Sequence, residues 1–273
     1  MNPVRPGGTG PIIQRPFGAT SRLANTLVHL RPVQIANRFS RKLTRLRIPD
    51  GDSGTLRQAA GALMPFMQRP RSMLTPTRFR FLNSTHEVAS PGDWDNPARP
   101  LLWTYNLHYF DDLCAADAAD RRAWHEGFIE RWLHENLPPA GTAWAPFPAS
   151  LRTVNLAKWI LRSAGAPPIA LRALGLSARA VYRQLEYHLL GNHLLANAKA
   201  LFLAGLCIDS PEASSWLRRG RKILQQQVPE QILADGAHFE LSPMYHALVL
   251  EDALDLVNFA RADVICHDEE QKN

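Results

Sequence analysis

Arg152, Asn155 and Trp159 in PFPASLRTVNLAKW recur at i, i+3 and i+7, so one helical face offers a guanidinium, an amide and an indole. Such a face suits a sugar that carries a carboxylate: Arg pairs with the acid, Asn bonds a hydroxyl and Trp stacks on the ring. It suits equally a helix hydrogen-bonded to the loop before it, with Ser150 as a cap. The stretch EYHLLGNHLLANAKALFLAG poses a second question, because His188, Asn192, His193 and Asn197 sit in an otherwise apolar run. Buried amides and imidazoles need hydrogen-bond partners. Gly191 breaks the run, so Asn192 reads as a helix cap or as a ligand-facing amide, and His193 as a core histidine or a catalytic one. His188 fits the core, and Asn197 fits a bond within a helix array. In a third cluster, Glu240, Tyr245 and His246 flank Ser242-Pro243, an N-cap followed by a first-turn proline. Tyr245 there is either a structural phenol or a reactive one.

Other chemistries are poorly represented. The ten histidines include no His-Glu-x-x-His; WHEGF and LHENL both lack the second histidine. No nucleophile elbow or phosphate loop appears. Cys114, Cys207 and Cys266 are too few and too far apart for a disulfide framework or a cysteine metal site. No metal and no cofactor is therefore expected.

The elements that must position these residues are mostly helices. The 273 residues are 45% hydrophobic and 21% charged, enough to bury a core. The seven tryptophans read mainly as core, with sugar stacking as the alternative. The net charge of +6 is uneven: residues 1–50 hold nine basic side chains against Asp50. Residues 1–20 read as a disordered Gly/Pro-rich tail, and 21–47 as a basic amphipathic helical segment. Ile35, Phe39, Leu43 and Leu46 share one face of it, with Arg38, Arg41, Lys42 and Arg45 on another. That segment can lie on an anionic membrane through residues 33–47, bind a polyanion, or dock on its own domain. Nucleic acid is not expected, since no binding motif accompanies it.

Residues 48–100 read as an irregular linker, with FRFLN and LLWTYNLHYF as short strands or extended segments. Helices follow near 119–136, 150–164, 168–190, 193–208, 211–227 and 243–262, and LADGAHFELSP reads as a hairpin turning at Asp-Gly. Short links between successive helices imply an antiparallel array, an all-α fold. Residues 266–273 read as a charged tail. No apolar run reaches the ~18 residues of a membrane span, and the N-terminus lacks a signal core. As written, the chain reads as cytoplasmic.

Four stretches in this order, TYNLHYFDDL, PFPASLRTVNLAKW, EYHLLGNHLLANAKALFLAG and DGAHFELSPMYHALVLEDALDL, resemble the helical N-terminal domain of the heparinase II/III polysaccharide lyases. HLRPVQIANRF is similar, more loosely, to the lead of members found with exopolysaccharide gene clusters. The resemblance implies an incomplete (α/α) toroid of antiparallel helix pairs over residues 101–265. It also implies β-elimination on a uronic-acid polysaccharide or oligosaccharide, often in the periplasm or cell envelope. The family's Asn and Tyr fall on Asn192 and Tyr245, with His193 beside the first as a third catalytic candidate. Arg152, Asn155, Trp159, Glu240 and His246 become substrate-binding candidates. An amide at Asn192 would stabilise the charge that builds on the uronate carboxylate as its C5 proton leaves, and Tyr245 would move protons. The family's C-terminal β-sandwich has no counterpart before DVICHDEEQKN, so the expectation is a fragment or truncated lyase whose activity alone is in question. The alternative is a non-catalytic carbohydrate-binding or assembly protein of bacterial exopolysaccharide production.

Overall fold

The computed structural model describes residues 29–57, 63–162 and 166–262. Among them are eight α-helices: α1 Pro32–Leu43, α2 Leu101–Tyr109, α3 Arg122–Glu135, α4 Pro146–Arg162, α5 Pro168–Arg183, α6 Gly191–Cys207, α7 Pro211–Gln231 and α8 Pro243–Arg261. The short strands are β1 Thr55–Leu56, β2 Met73–Thr75, β3 Arg78–Phe81, β4 Ser84–Glu87 and β5 Ile208–Asp209. No β-sandwich occurs among the described residues. The expected tail at 1–20 and the charged tail at 266–273 lie outside them.

The array is an incomplete (α/α) toroid. Helices α4, α6 and α8 form an inner layer, and α5 and α7 return between them. The α6–α7 pair shows why the sequence closes this way. A Cβ on Gly205 would sit 2.7 Å from the Leu217 amide nitrogen, and one on Gly220 would sit 2.7 Å from that of Phe202. Two glycines therefore bring the backbones together in antiparallel order, closer than any side chain permits. Ser210 starts α7 by accepting a hydrogen bond from the Ala213 amide at 3.1 Å.

Two expectations need correction. LLWTYNLHYF is helix α2 over Leu101–Tyr109, not a strand, and Phe110 ends it in the left-handed region at φ 64°. The 48–100 stretch, expected as an irregular linker, carries the β2-β3-β4 antiparallel sheet. It also contributes Ile48, Phe66, Met73, Phe79, Val88 and Trp94 to the main core. Strand β1 pairs antiparallel with β5, Thr55 opposite Asp209, and so fastens this segment to the α6–α7 junction. The Asp-Gly turn expected at 235–236 closes a single antiparallel bridge, Ile232 to His238, without strands. No described helix is long and apolar enough to cross a membrane.

A buried carboxylate fixes the sheet to the helices. Asp112 accepts from the amides of Ser72 (2.7 Å) and Met73 (2.8 Å), from Arg121 Nη2 (2.8 Å), and lies 2.9 Å from His125 Nε2. Burial by itself would raise its pKa. The bonds from His125, the Met73 amide, Arg121 and the Ser72 amide outweigh burial and hold it at about 2. A carboxyl depressed in the fold stabilises above its ordinary pKa and loses that contribution as pH falls through the folded value. The Tm of the wild-type chain should therefore fall as pH drops from 3.8 towards about 2. Asp112→Asn should be less stable by about 3 kcal/mol at neutral pH, and its Tm should change less over that acid range. Thermal melts across pH check both, and identical acid profiles would contradict the assignment.

Candidate active site

Helices α4, α6 and α8, with Asn106 and Tyr109 of α2 and Arg69, enclose an open cavity of about 260 Å³. Its lining follows helical spacing. Helix α6 presents Asn192, Ala196 and Lys199; helix α8 presents Tyr245, Leu248 and Asp252; helix α4 presents Phe147, Leu151 and Lys158. Contacts at both ends fix the relative direction of the helices. Near the starts of α4 and α6, the Phe147 and His193 rings lie 4.6 Å apart. Gln231 donates to the Gly191 carbonyl at 2.9 Å and touches His238, whose ring lies 6.4 Å from that of Tyr245, which places the start of α8 near that of α6. Further along, Lys158 of α4 and Lys199, midway along α6, both reach Asp255 of α8. The three helices therefore run the same way, and the first turns of all three converge at one end of the cavity. Each first turn carries a partial positive charge. Helix α6 leaves the amides of Gly191, Asn192 and His193 without an intrahelical partner, whereas Pro146, Pro148 and Pro243 remove amide hydrogens from the starts of α4 and α8. Together that end favours an anion.

Asn192 and Tyr245 stand at this end, as the second residue of α6 and the third of α8. Both are half-buried and both line the cavity. Among the described residues neither side chain has a hydrogen-bond partner, so both polar ends remain available to a ligand. Asn192 is not the helix cap. That position is Leu190, whose backbone is held at φ 63°, ψ −152° and makes no side-chain cap. A branched residue rarely adopts this conformation, and Gly191 follows it at φ 53°. This unusual entry sets Asn192 one residue inside the helix, facing the cavity.

The opposite end is a charge network that sequence reasoning missed. Lys158 and Lys199, 1% and 3% exposed, share Asp255 at 2.5 Å each. Lys199 also reaches Asp252 at 2.7 Å, and Arg69 reaches Glu251 at 2.8 Å. Burial opposes the charge on Lys199, but Asp252 and Asp255 outweigh it and raise its pKa. Nearby, burial raises Asp111 above the ordinary carboxylate range, against the pull of Arg69 and a bond from Asn155. The available signal was Lys158 and Lys199 inside apolar helices, together with Glu251, Asp252 and Asp255 at one-turn spacing on α8.

The remaining candidates divide. His193 is half-buried behind Phe147 and pairs through Nδ1 with Glu186 Oε1 at 3.2 Å; it does not line the cavity. Asn155 lines the cavity, but its amide hydrogens are spent on the Tyr109 carbonyl (2.9 Å) and Asp111 Oδ1 (2.8 Å). Arg152 must be reassigned. It is 0% exposed, lies 4.1 Å from the Trp132 ring centre, and donates to Ser177 Oγ, the His108 carbonyl and the Ala143 carbonyl. Burial without a carboxylate pushes its pKa down to about 9. It braces α4 against α5 and cannot meet a sugar acid. Trp159 is buried against Arg122 and His125, so it is no stacking platform. Glu240 and His246 are exposed and outside the lining, although Glu240 Oε1 lies 3.6 Å from where a Cβ of Gly191 would sit. Asn197 is a structural amide that bonds Glu186 and Ser150. His188 contacts Asn37 of α1 at 3.1 Å. Among the described residues no group of three or more His, Cys, Asp and Glu side chains is placed to hold a metal ion.

The described residues thus form a helical toroid with an open cavity where three helix starts converge. The family described as Heparinase II/III N-terminus matches residues 116–269, more than half of the sequence. The chain belongs to this family. It is 28% identical over 175 residues to a heparin-sulfate lyase of Bacteroides thetaiotaomicron, covering 58% of this chain and 25% of that protein. It is 35% identical over 77 residues to a heparin-sulfate lyase of Pedobacter heparinus, covering 27% of this chain and 11% of that protein. The chain thus spans a quarter or less of the length of these relatives. No solved structure gives a significant match.

The network makes a direct prediction. Asp255→Asn leaves two buried ammonium groups without their shared carboxylate, and should cost about 3–5 kcal/mol of unfolding free energy. Urea denaturation measures it. A loss below about 1 kcal/mol, the range of an exposed pair, would show that the network does not hold the helices.

Proposed function

We propose that this chain is the toroid portion of a polysaccharide lyase that binds a uronic-acid polymer and cleaves it by β-elimination. The observation that carries this reading is the pair Asn192 and Tyr245, unpartnered and lining one cavity where three helix N-termini converge. Elimination removes the C5 proton next to a carboxylate that is already negative, so charge accumulates on the carboxylate oxygens. An amide donor and three positive helix ends stabilise that charge as it forms. In this reading the Tyr245 phenol, which lines the cavity, exchanges protons with C5 and the departing O4. The relatives' name, heparin-sulfate lyase, favours heparin sulfate among uronate polymers. His193, behind Phe147, acts by holding that ring rather than by touching substrate.

Calorimetric titration of the chain with uronate oligosaccharides tests this. Asn192→Asp replaces a donor with a like charge and should weaken binding by about tenfold or more. Tyr245→Phe should leave affinity within about threefold, because the phenol acts on the transition state. Wherever the wild-type chain releases the ultraviolet-absorbing unsaturated product, the Phe variant should release none. Equal affinity for wild type and Asn192→Asp would sink the reading.

A further inference from the structure

Helix α1 is docked the wrong way round for a helix that merely completes a fold. Gln34, Asn37 and Arg41 share one face at i, i+3 and i+7, and this polar face meets the domain. Gln34 Nε2 donates to the His188 carbonyl at 3.3 Å, Arg41 Nη1 to the Gln184 carbonyl at 3.0 Å, and Asn37 Oδ1 lies 3.1 Å from His188 Nδ1. Arg31, just before the helix, pairs with Glu230 of α7 at 2.7 Å. Ile35, Phe39 and Leu43 recur at i, i+4 and i+8 on the opposite side. No residue of α1 is buried, and Phe39 and Leu43 are 63% and 85% exposed. Ordinary packing of an amphipathic helix buries its apolar stripe.

The charges around this stripe identify what covers it. Residues 29–49 hold Arg31, Arg38, Arg41, Lys42, Arg45 and Arg47 and no acidic side chain. Among the described residues Arg38, Lys42, Arg45 and Arg47 have no carboxylate partner. A groove beneath the helix adds Arg183 and Arg219, with no carboxylate in its lining. An exposed apolar stripe edged by unpaired cations matches the interface of an anionic bilayer, where aromatic and aliphatic side chains sink below the headgroups and cations pair with phosphates. A soluble polyanion would satisfy the cations but leave Phe39 and Leu43 in water.

We infer that α1 is a membrane-surface anchor that remains docked on the toroid by its polar face while its apolar face enters an anionic phospholipid surface. The anchor is independent of the lyase reading.

Vesicle co-sedimentation of the full chain tests it. The chain should bind vesicles of phosphatidylcholine mixed with phosphatidylglycerol, and bind phosphatidylcholine alone poorly. Phe39→Glu and Leu43→Glu, at exposed positions that leave the fold intact by circular dichroism, should each weaken binding by about tenfold. Arg38→Glu with Lys42→Glu should weaken it on the mixed vesicles only. Absence of binding, or binding that needs the cations yet ignores Phe39→Glu and Leu43→Glu, would overturn the proposal in favour of a polyanion groove. Binding that appears only after residues 1–28 are removed would make that segment the occupant and overturn it as well. Concentration-dependent dimerisation abolished by Phe39→Glu, without vesicle binding, would assign the face to a second copy and do the same.

Discussion

One carboxylate, Asp255, sits between two ammonium groups on two other helices, and the arrangement of the cavity depends on it. Desolvating Lys158, Lys199 and Asp255 costs several kcal/mol per ion, which their mutual attraction offsets only at short range. Distances of 2.5 Å from Asp255 to both lysines supply that range. The consequence is directional. Helices α4, α6 and α8 are joined at Asp255, and Phe147 on His193 and the Gly191–Gln231–His238–Tyr245 contacts bring their first turns together at the other side of the cavity. A hydrophobic seam would hold the same helices, but it would tolerate sliding, whereas one shared carboxylate permits a single register.

That register concentrates weak effects at one place. A single helix terminus or a single amide binds an anion modestly in water. Three termini, an uncommitted Asn192 and an uncommitted Tyr245 line one cavity partly closed to solvent, and the proposed reading has them act together on one anion there, where each is worth more. The strained entry at Leu190 and Gly191 puts Leu190, not Asn192, at the cap position and leaves the Asn192 amide free of a capping bond. Arg152 contributes at a distance. Its guanidinium, surrounded by Trp132, Trp144 and Phe110, pins α4 to the carbonyls of His108 and Ala143 and to Ser177.

Much of this was legible in the sequence, and the failures have physical causes. Helices α3 to α8 follow from apolar spacing punctuated by proline and glycine, and Asn192 and Tyr245 stand out as polar residues at helix starts. Helix α2 was misread because Trp103, Thr104, Tyr105 and Tyr109 favour strands, and because its buried face includes Thr104 and His108 while Leu101 and Leu102 lie exposed, so no apolar stripe shows in the sequence. FRFLN, read as a short strand or extended segment, is strand β3 over Arg78–Phe81; its partners β2 and β4 were not foreseen, and contacts such as Phe79 on Phe128 seat this sheet against the core. Arg152 shares helical spacing with Asn155, but the partners that bury it come from distant segments. The lysine pair eluded the pattern for the same reason: Lys158 and Asp255 are far apart in the chain, and each alone looks like an ordinary helix charge. Periodicity reports which face is apolar; it does not report which buried charge answers another.

The central claim is that the amide of Asn192 and the phenol of Tyr245 hold one sugar acid at the converging helix ends. A crystal structure of the chain with a uronate oligosaccharide tests it most directly. The account predicts a uronate carboxylate within hydrogen-bond reach of Asn192 Nδ2, with the same sugar against Tyr245 Oη. An oligosaccharide seated instead in the arginine-lined groove beneath α1, with Asn192 and Tyr245 untouched, would contradict it.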